Sequence, residues 1–273
     1  MKKIVGLVLT YLTLCAVVPS CVGIADRVIL WPQPSRGAST PAVRIFAGDP
    51  RIELWRVPAL ADAPNEGGPK AFIIRFYGNA DLADRLVVSE AQAYADLGIE
   101  FWAANYPGYG QSDGPATLEG VGRAALVAFD TVKQTAGDRP IVVMGTSLGT
   151  SAALHVTAQR QPAGVVLINP PALKEMIMGE FGWWNLWILA ARVRGQIPDA
   201  LDSIANARAS KCPLLQVSSM RDSVVPVKYQ QRVFEAYAGE KSIVTRPEAD
   251  HNTPFEPDVR DRVHTAVQRM ITM

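Results

Sequence analysis

Short unbroken apolar runs alternate along the chain with longer stretches whose apolar residues recur every three or four positions. The first pattern marks a strand covered on both faces and the second an amphipathic helix. Residues 71–76 (Ala-Phe-Ile-Ile-Arg-Phe), 100–104, 141–144, 165–168, 214–217 and 242–245 read as strands. Residues 82–97, 118–134, 227–238 and 259–270 read as helices, the first stopped by Gly98 and the third by Gly239. Residues 51–57 (Arg-Ile-Glu-Leu-Trp-Arg-Val) alternate polar and apolar, which predicts a half-exposed strand near a sheet edge. The Pro, Gly, Ser and Thr of 23–50 predict a surface lead-in with a short strand at 28–31, and 62–69 reads as a loop. Strands alternating with helices imply right-handed crossovers and a mostly parallel sheet flanked by helices, an α/β domain. Ligands in such sheets bind at the carboxyl ends of the strands.

The N-terminus departs from that pattern. Lys2 and Lys3 precede an apolar run, 4–18, and then Pro19-Ser20-Cys21. This is the layout of a secretory signal peptide over 1–20. Residues 18–21 also resemble a bacterial lipobox, whose cysteine would make Cys21 a lipid anchor. An uncleaved apolar anchor and cleavage beyond Cys21 are the alternatives. Each version predicts a cell-envelope protein exported across a membrane. Beyond Cys15 and Cys21 only Cys212 remains, so the mature domain has no intrachain disulfide to form.

Composition narrows the picture further. The 273 residues are 48% hydrophobic, enough for one sizeable core, and 27 basic against 26 acidic side chains leave a net charge of +1. With no block of like charge, nucleic acid is not an expected partner. No cluster of His, Cys and carboxylates suggests a metal, and no cofactor is expected.

The strand 141–144 runs into Gly145-Thr146-Ser147-Leu148-Gly149, followed by small residues that can wind a helix. Gly-x-Ser-x-Gly between strand and helix is the nucleophile elbow: the serine takes a strained backbone, and a Cβ at either glycine would collide with a neighbouring element. The turn lifts the Ser147 hydroxyl clear of the sheet and aims the Leu148 amide into the same space. A serine hydroxyl needs a base. Of three histidines, His155 lies two turns along the helix after the elbow and His264 on the last helix among polar residues. His251, in the loop between the last strand and last helix, is the candidate. A carboxylate must hold its tautomer. Asp222, following the strand 214–217, ranks above Asp250, which would have to fold back on its neighbour and suits a turn. A second amide for a developing oxyanion is expected from Tyr77-Gly78-Asn79-Ala80, at Asn79.

These residues resemble the α/β-hydrolase superfamily from about Ala71 to the C-terminus. The order Ser147, Asp222, His251 is that of its triads. The nearest resemblance is to single-domain serine hydrolases with a His-Gly-Asn-Ala oxyanion loop and Tyr-Arg-Gly-Tyr-Gly-x-Ser after the next strand. Here these read Tyr77-Gly78-Asn79-Ala80 and Tyr106-Pro107-Gly108-Tyr109-Gly110-Gln111-Ser112, with tyrosine in place of histidine. The family's acid motif appears as 219–226, ending Val225-Pro226, and its histidine motif as 249–253.

The resemblance implies an α/β-hydrolase fold over 51–273, with a short helical cap insert at about 171–211. Within the insert, Phe181, Trp183, Trp184 and Trp187 belong to one dense apolar helix. It either packs on the body, or lines an acyl pocket or touches lipid. The activity implied is hydrolysis of an ester, thioester or amide of a small-molecule acyl substrate through an acyl-enzyme, by a monomer. A peptidase of the same fold and a catalytically silent lipoprotein that binds a partner are the competing expectations.

Overall fold

The computed structural model describes residues 23–37, 41–59, 68–182 and 187–273. The proposed leader with Cys21, the loop residues 60–67, and Trp183 and Trp184 lie outside the described residues. Eight strands form one sheet in the order β1-β2-β4-β3-β5-β6-β7-β8. They are β1 (Val43–Ala47), β2 (Ile52–Val57), β3 (Ala71–Phe76), β4 (Ile99–Ala104), β5 (Ile141–Thr146), β6 (Gly164–Ile168), β7 (Leu214–Ser219) and β8 (Lys241–Arg246). The two pairings that involve β2 are antiparallel and all the others parallel.

Burial explains why the central strands read as unbroken apolar runs. Side chains alternate across a strand. Phe72, Ile74 and Phe76 of β3 enter one core with Val143 of β5, while Ala71, Ile73, Val142 and Met144 enter the other. The first core is closed by α3 (Leu118–Ala136), α4 (Leu148–Arg160), α7 (Ser203–Ala209) and α8 (Val227–Ala236). The second is closed by α2 (Ala83–Gln92) and α9 (Pro257–Thr272). Each fully buried Val, Ile or Phe contributes about 1.5–3 kcal/mol.

The chain leaves β3 toward α2 on one face and leaves β5, its neighbour in the sheet, toward α4 on the other. Loops diverging in this way open a crevice at the carboxyl ends of those two strands. Between β6 and β7 the insert holds α5 (Leu173–Phe181), α6 (Ile188–Gly195), a 3₁₀ turn (Asp199–Leu201) and α7. Among the described residues no helix is long and apolar enough to cross a membrane.

Four expectations are corrected. Residues 28–31 are not a strand: α1 (Ile24–Ile29) takes the first two, and Leu30 and Trp31 follow it outside any strand. Tertiary contacts hold that helix, since the Ala25 amide donates to Gln196 Oε1 (3.1 Å) and Asp26 Oδ1 accepts from the Leu118 amide (2.7 Å). The lead-in also contains β1, which covers β2 from the outside. β2 is therefore less exposed than expected, with Arg56 its one partly exposed position. Glu53 is fully buried, with Oε2 accepting from Asn105 Nδ2 (2.7 Å) and the Gln111 amide (2.8 Å). The helix expected over 82–97 breaks after Gln92 into a 3₁₀ turn, Ala95–Leu97, and Gly98 at φ 66° ends it. Finally, the apolar segment of the insert is two helices. The first ends at Phe181 and the second begins at Ile188, where Trp187 takes φ 62° and its amide donates to Gly182 O (2.7 Å).

Candidate active site

Ser147 sits between β5 and α4 at φ 50°, ψ −122°, a conformation that costs an L-residue strain. Its amide donates to Ile168 O (2.9 Å), and its carbonyl accepts from the Thr150 amide (2.9 Å) and hydroxyl (2.6 Å). The glycines are needed for the reason the motif suggests. A Cβ on Gly145 would stand 2.5 Å from Gly149 O, and one on Gly149 would press into the carbonyl of Phe76 and lie 2.5 Å from that of Tyr77.

Asp222 follows β7 and its side chain is wholly buried. Oδ1 accepts from the amides of Val224 (2.9 Å) and Val225 (2.6 Å), and Oδ2 accepts from Gln230 Nε2 (3.2 Å). The fourth partner of the carboxylate is His251, whose Nδ1 lies 2.7 Å from Oδ2. An ionised carboxylate only accepts, so Nδ1 carries the proton and Nε2 is left with a lone pair. Asp222 is therefore the group behind the imidazole.

Asp250 takes the turn role. Its Oδ1 accepts from the His251 amide (2.7 Å) and the Ser223 amide (2.8 Å), tying the histidine loop to the Asp222 loop. Those two amides, Ser223 first, hold its carboxyl below the usual carboxylate range.

Asn169, which sequence reasoning passed over, completes the frame. Buried at φ 50°, it donates from Nδ2 to His251 O (3.2 Å) and accepts at Oδ1 from the Ser219 amide (2.9 Å). Its only sequence signal is an asparagine at a strand's carboxyl end, a residue type that tolerates φ above zero.

Among the described residues Ser147 Oγ makes no hydrogen bond, so its contact with the imidazole is open in this state. Such bonds often tighten only with substrate in place. Beside the serine, a Cβ on Gly78 would lie 3.6 Å from Ser147 Cβ and 3.3 Å from Asp81 Oδ2. The backbone amides of Leu148 and Asn79 donate to no acceptor among the described residues. They remain available to an oxyanion.

A family model described as the alpha/beta hydrolase fold matches residues 76–211. An esterase of Pyrococcus furiosus superposes with a TM-score of 0.67 at 16% identity, over 89% of this chain and 97% of its own. Est1E of Butyrivibrio proteoclasticus, solved with ferulic acid bound, gives 0.68 at 18% identity, over 84% and 100%. The chain belongs to the α/β-hydrolase superfamily. Among its relatives, an uncharacterised protein of Mycobacterium tuberculosis is 28% identical over 249 residues, spanning 88% of this chain and 83% of that one. Lysophosphatidylserine lipase ABHD12 of Macaca fascicularis is 26% identical over 220 residues. That match spans 75% of this chain and about half, 53%, of the lipase.

In this α/β-hydrolase the loop 77–80 is held by two tyrosines whose roles the sequence did not disclose. Tyr106 donates its hydroxyl to Tyr77 O (2.9 Å), and Tyr109 donates to Asn79 Oδ1 (2.7 Å). The two rings pack edge to face with centroids 5.7 Å apart. Asn79 also grips the lead-in, its Oδ1 accepting from the Trp31 amide (2.9 Å) and its Nδ2 donating to Ile29 O. The Tyr77 side chain turns the other way, with the Arg75 guanidinium 4.9 Å over its ring. If the Asn79 amide receives an oxyanion, Tyr109→Phe should lower kcat about tenfold while KM changes less than twofold. Steady-state kinetics on one ester checks this.

The other two histidines stand apart. His155 faces α3, with burial and then Arg160 lowering its pKa. His264 stacks on Tyr94 (6.1 Å) with Nε2 2.9 Å from Asp96 Oδ1, so it is pinned at its surface position. In the insert Phe181 and Trp187 are each 50% exposed.

Proposed function

We propose that this chain is a serine hydrolase that cleaves a carboxylic ester through an acyl-enzyme. The observation that carries the reading is the 2.7 Å bond from His251 Nδ1 to a buried carboxylate, which leaves Nε2 as a base at the rim where Ser147 stands. Ester cleavage, rather than thioester or amide, is the narrower reading. It draws support from superfamily members named as an esterase and a lipase.

Each step then has an owner. Ser147 Oγ attacks the carbonyl carbon and its proton passes to His251 Nε2. Negative charge on the carbonyl oxygen is met by the amides of Leu148 and Asn79, and the positive charge on the imidazolium by Asp222. Collapse breaks the ester bond, and the alcohol leaves with the proton from Nε2. Water attacks the acyl-serine by the same route, and the acid is released with Ser147 restored.

A fluorophosphonate probe tests this directly. The native protein should label at Ser147 and Ser147→Ala should not, with ester turnover lost in parallel by a factor on the order of 10⁴ or more. Turnover should also fall on the acid side, since a protonated imidazole cannot accept the serine's proton. Native protein that neither labels nor turns over any ester would overturn the reading in favour of a non-catalytic one.

A further inference from the structure

A cleft of about 670 Å³ opens between α2 and α9 at the carboxyl end of the sheet. His251 and Thr146 form part of its wall, but Ser147 does not. The cleft therefore begins at the imidazole rather than at the serine. Its size is that of a pocket for a drug-sized molecule.

Its end nearest the imidazole is polar and incompletely bonded. The Tyr77 hydroxyl is buried and meets no partner in hydrogen-bond geometry, although the Glu90 carboxylate is close by. Burial first, and Glu90 second, push that phenol well above its ordinary range, so it stays protonated and can donate. Thr146 Oγ1 accepts from Arg75 Nη2 (2.7 Å) but donates to nothing among the described residues. Asp81 adds an acceptor. A buried hydroxyl without a partner is costly unless something fills the site, which makes Tyr77 the informative member.

Chemistry says which part of a substrate belongs here. The oxyanion faces the amides of Leu148 and Asn79, and the acyl carbon becomes bonded to Ser147. The leaving oxygen must instead take its proton from His251, so the alcohol portion lies on the imidazole's side. We propose that this cleft holds the alcohol portion of the ester, and that Tyr77 selects alcohols bearing a further hydroxyl. Such a hydroxyl can accept from the phenol and donate to the Asp81 carboxylate. Tyr77 thus acts as a specificity residue at the position where the related oxyanion loop carries histidine. This rests on the serine-hydrolase reading above.

The test uses two esters of one acid, that acid being taken from the p-nitrophenyl ester turned over fastest. One is the 1-glyceryl ester. The other is the 2-methylbutyl ester, the same shape with both hydroxyls replaced by methyl groups. Native protein should favour the glyceryl ester in kcat/KM by about tenfold or more, as expected for one net hydrogen bond to the substrate. Tyr77→Phe should cut that ratio about tenfold and melt no lower than native protein, because the hydroxyl meets no partner in hydrogen-bond geometry. A native ratio near one, a ratio that Tyr77→Phe leaves unchanged, or a lowered melting temperature in Tyr77→Phe would each overturn the proposal. If Ser147 still labels with fluorophosphonate in those cases, only the cleft assignment falls. If the native protein neither labels nor cleaves, both fall together.

Discussion

Asp222→Asn should lower kcat by about ten-thousandfold while the protein remains folded. In the proposed mechanism the carboxylate does two jobs. Accepting from Nδ1 fixes the tautomer that leaves Nε2 basic, and its charge stabilises the imidazolium formed as Ser147 attacks. An amide of the same shape has no charge, and it can offer Nδ1 a donor that forces the opposite tautomer. The two amides on Oδ1, at 2.9 and 2.6 Å, can still be satisfied by the asparagine carbonyl, so the loop should survive. With that oxygen so held, the NH₂ group falls at the Oδ2 position, facing His251 Nδ1. Asp250→Asn makes the comparison sharp. Both backbone amides that it holds donate to Oδ1, which asparagine retains, and kcat should fall less than about tenfold. Rates for both variants on one ester, with circular dichroism to verify folding, decide between the two carboxylates. Equal losses would mean that Asp222 is not the group supporting the base.

Gly149→Ala should prevent the protein from folding. The added methyl would enter the backbone carbonyls of Phe76 and Tyr77 at the end of β3. Neither carbonyl can yield cheaply, because Phe76 is paired in register with Gly145 of β5, and Gly145 has Gly149 O packed 2.5 Å from its own missing Cβ. A shift at one glycine closes the gap at the other. The cost should exceed about 4 kcal/mol, a large part of the 5–15 kcal/mol that holds a domain together. Gly137→Ala is the contrast. At φ 61° it carries backbone strain, but nothing lies within 4 Å of its Cβ, so it should cost only about 1 kcal/mol. Soluble yield and thermal melting distinguish the two. A Gly149→Ala protein that melts within a few degrees of native would refute the close approach.

How legible the site was depends on where each residue's constraint resides. Ser147 could be read because its demand is local: strand, glycine, serine and glycine within a few positions dictate the turn. His251 could be read because it stands in a loop that follows a strand, on the edge where parallel sheets bind ligands. Asp222 could be ranked but not decided, since Asp250 is an equally good carboxylate by type. Only the folded chain puts Asp222 Oδ2 2.7 Å from the ring and turns Asp250 toward backbone amides.

Tyr106 and Tyr109 stood within a recognised motif, yet their task is to hold residues about thirty positions away. Asn79 was chosen for its amide. That its side chain also clamps the lead-in, about fifty positions distant, had no signature in the sequence.

The amino-acid sequence by itself determined the alternation of strands and helices, the burial of the central strands on both faces, and the strained serine at the end of β5. Each follows from periodicity or from backbone sterics acting over a few residues. Tertiary structure alone decided that residues near 28 are helical, that β1 covers β2 and buries Glu53, that the apolar insert breaks into two helices, and which carboxylate backs the imidazole. The helix near 28 and the burial of Glu53 rest on contacts between segments tens to more than a hundred residues apart, such as Ala25 with Gln196 and Glu53 with Asn105. No local pattern carries such a contact, because the free energy that selects it exists only once both segments have left water together.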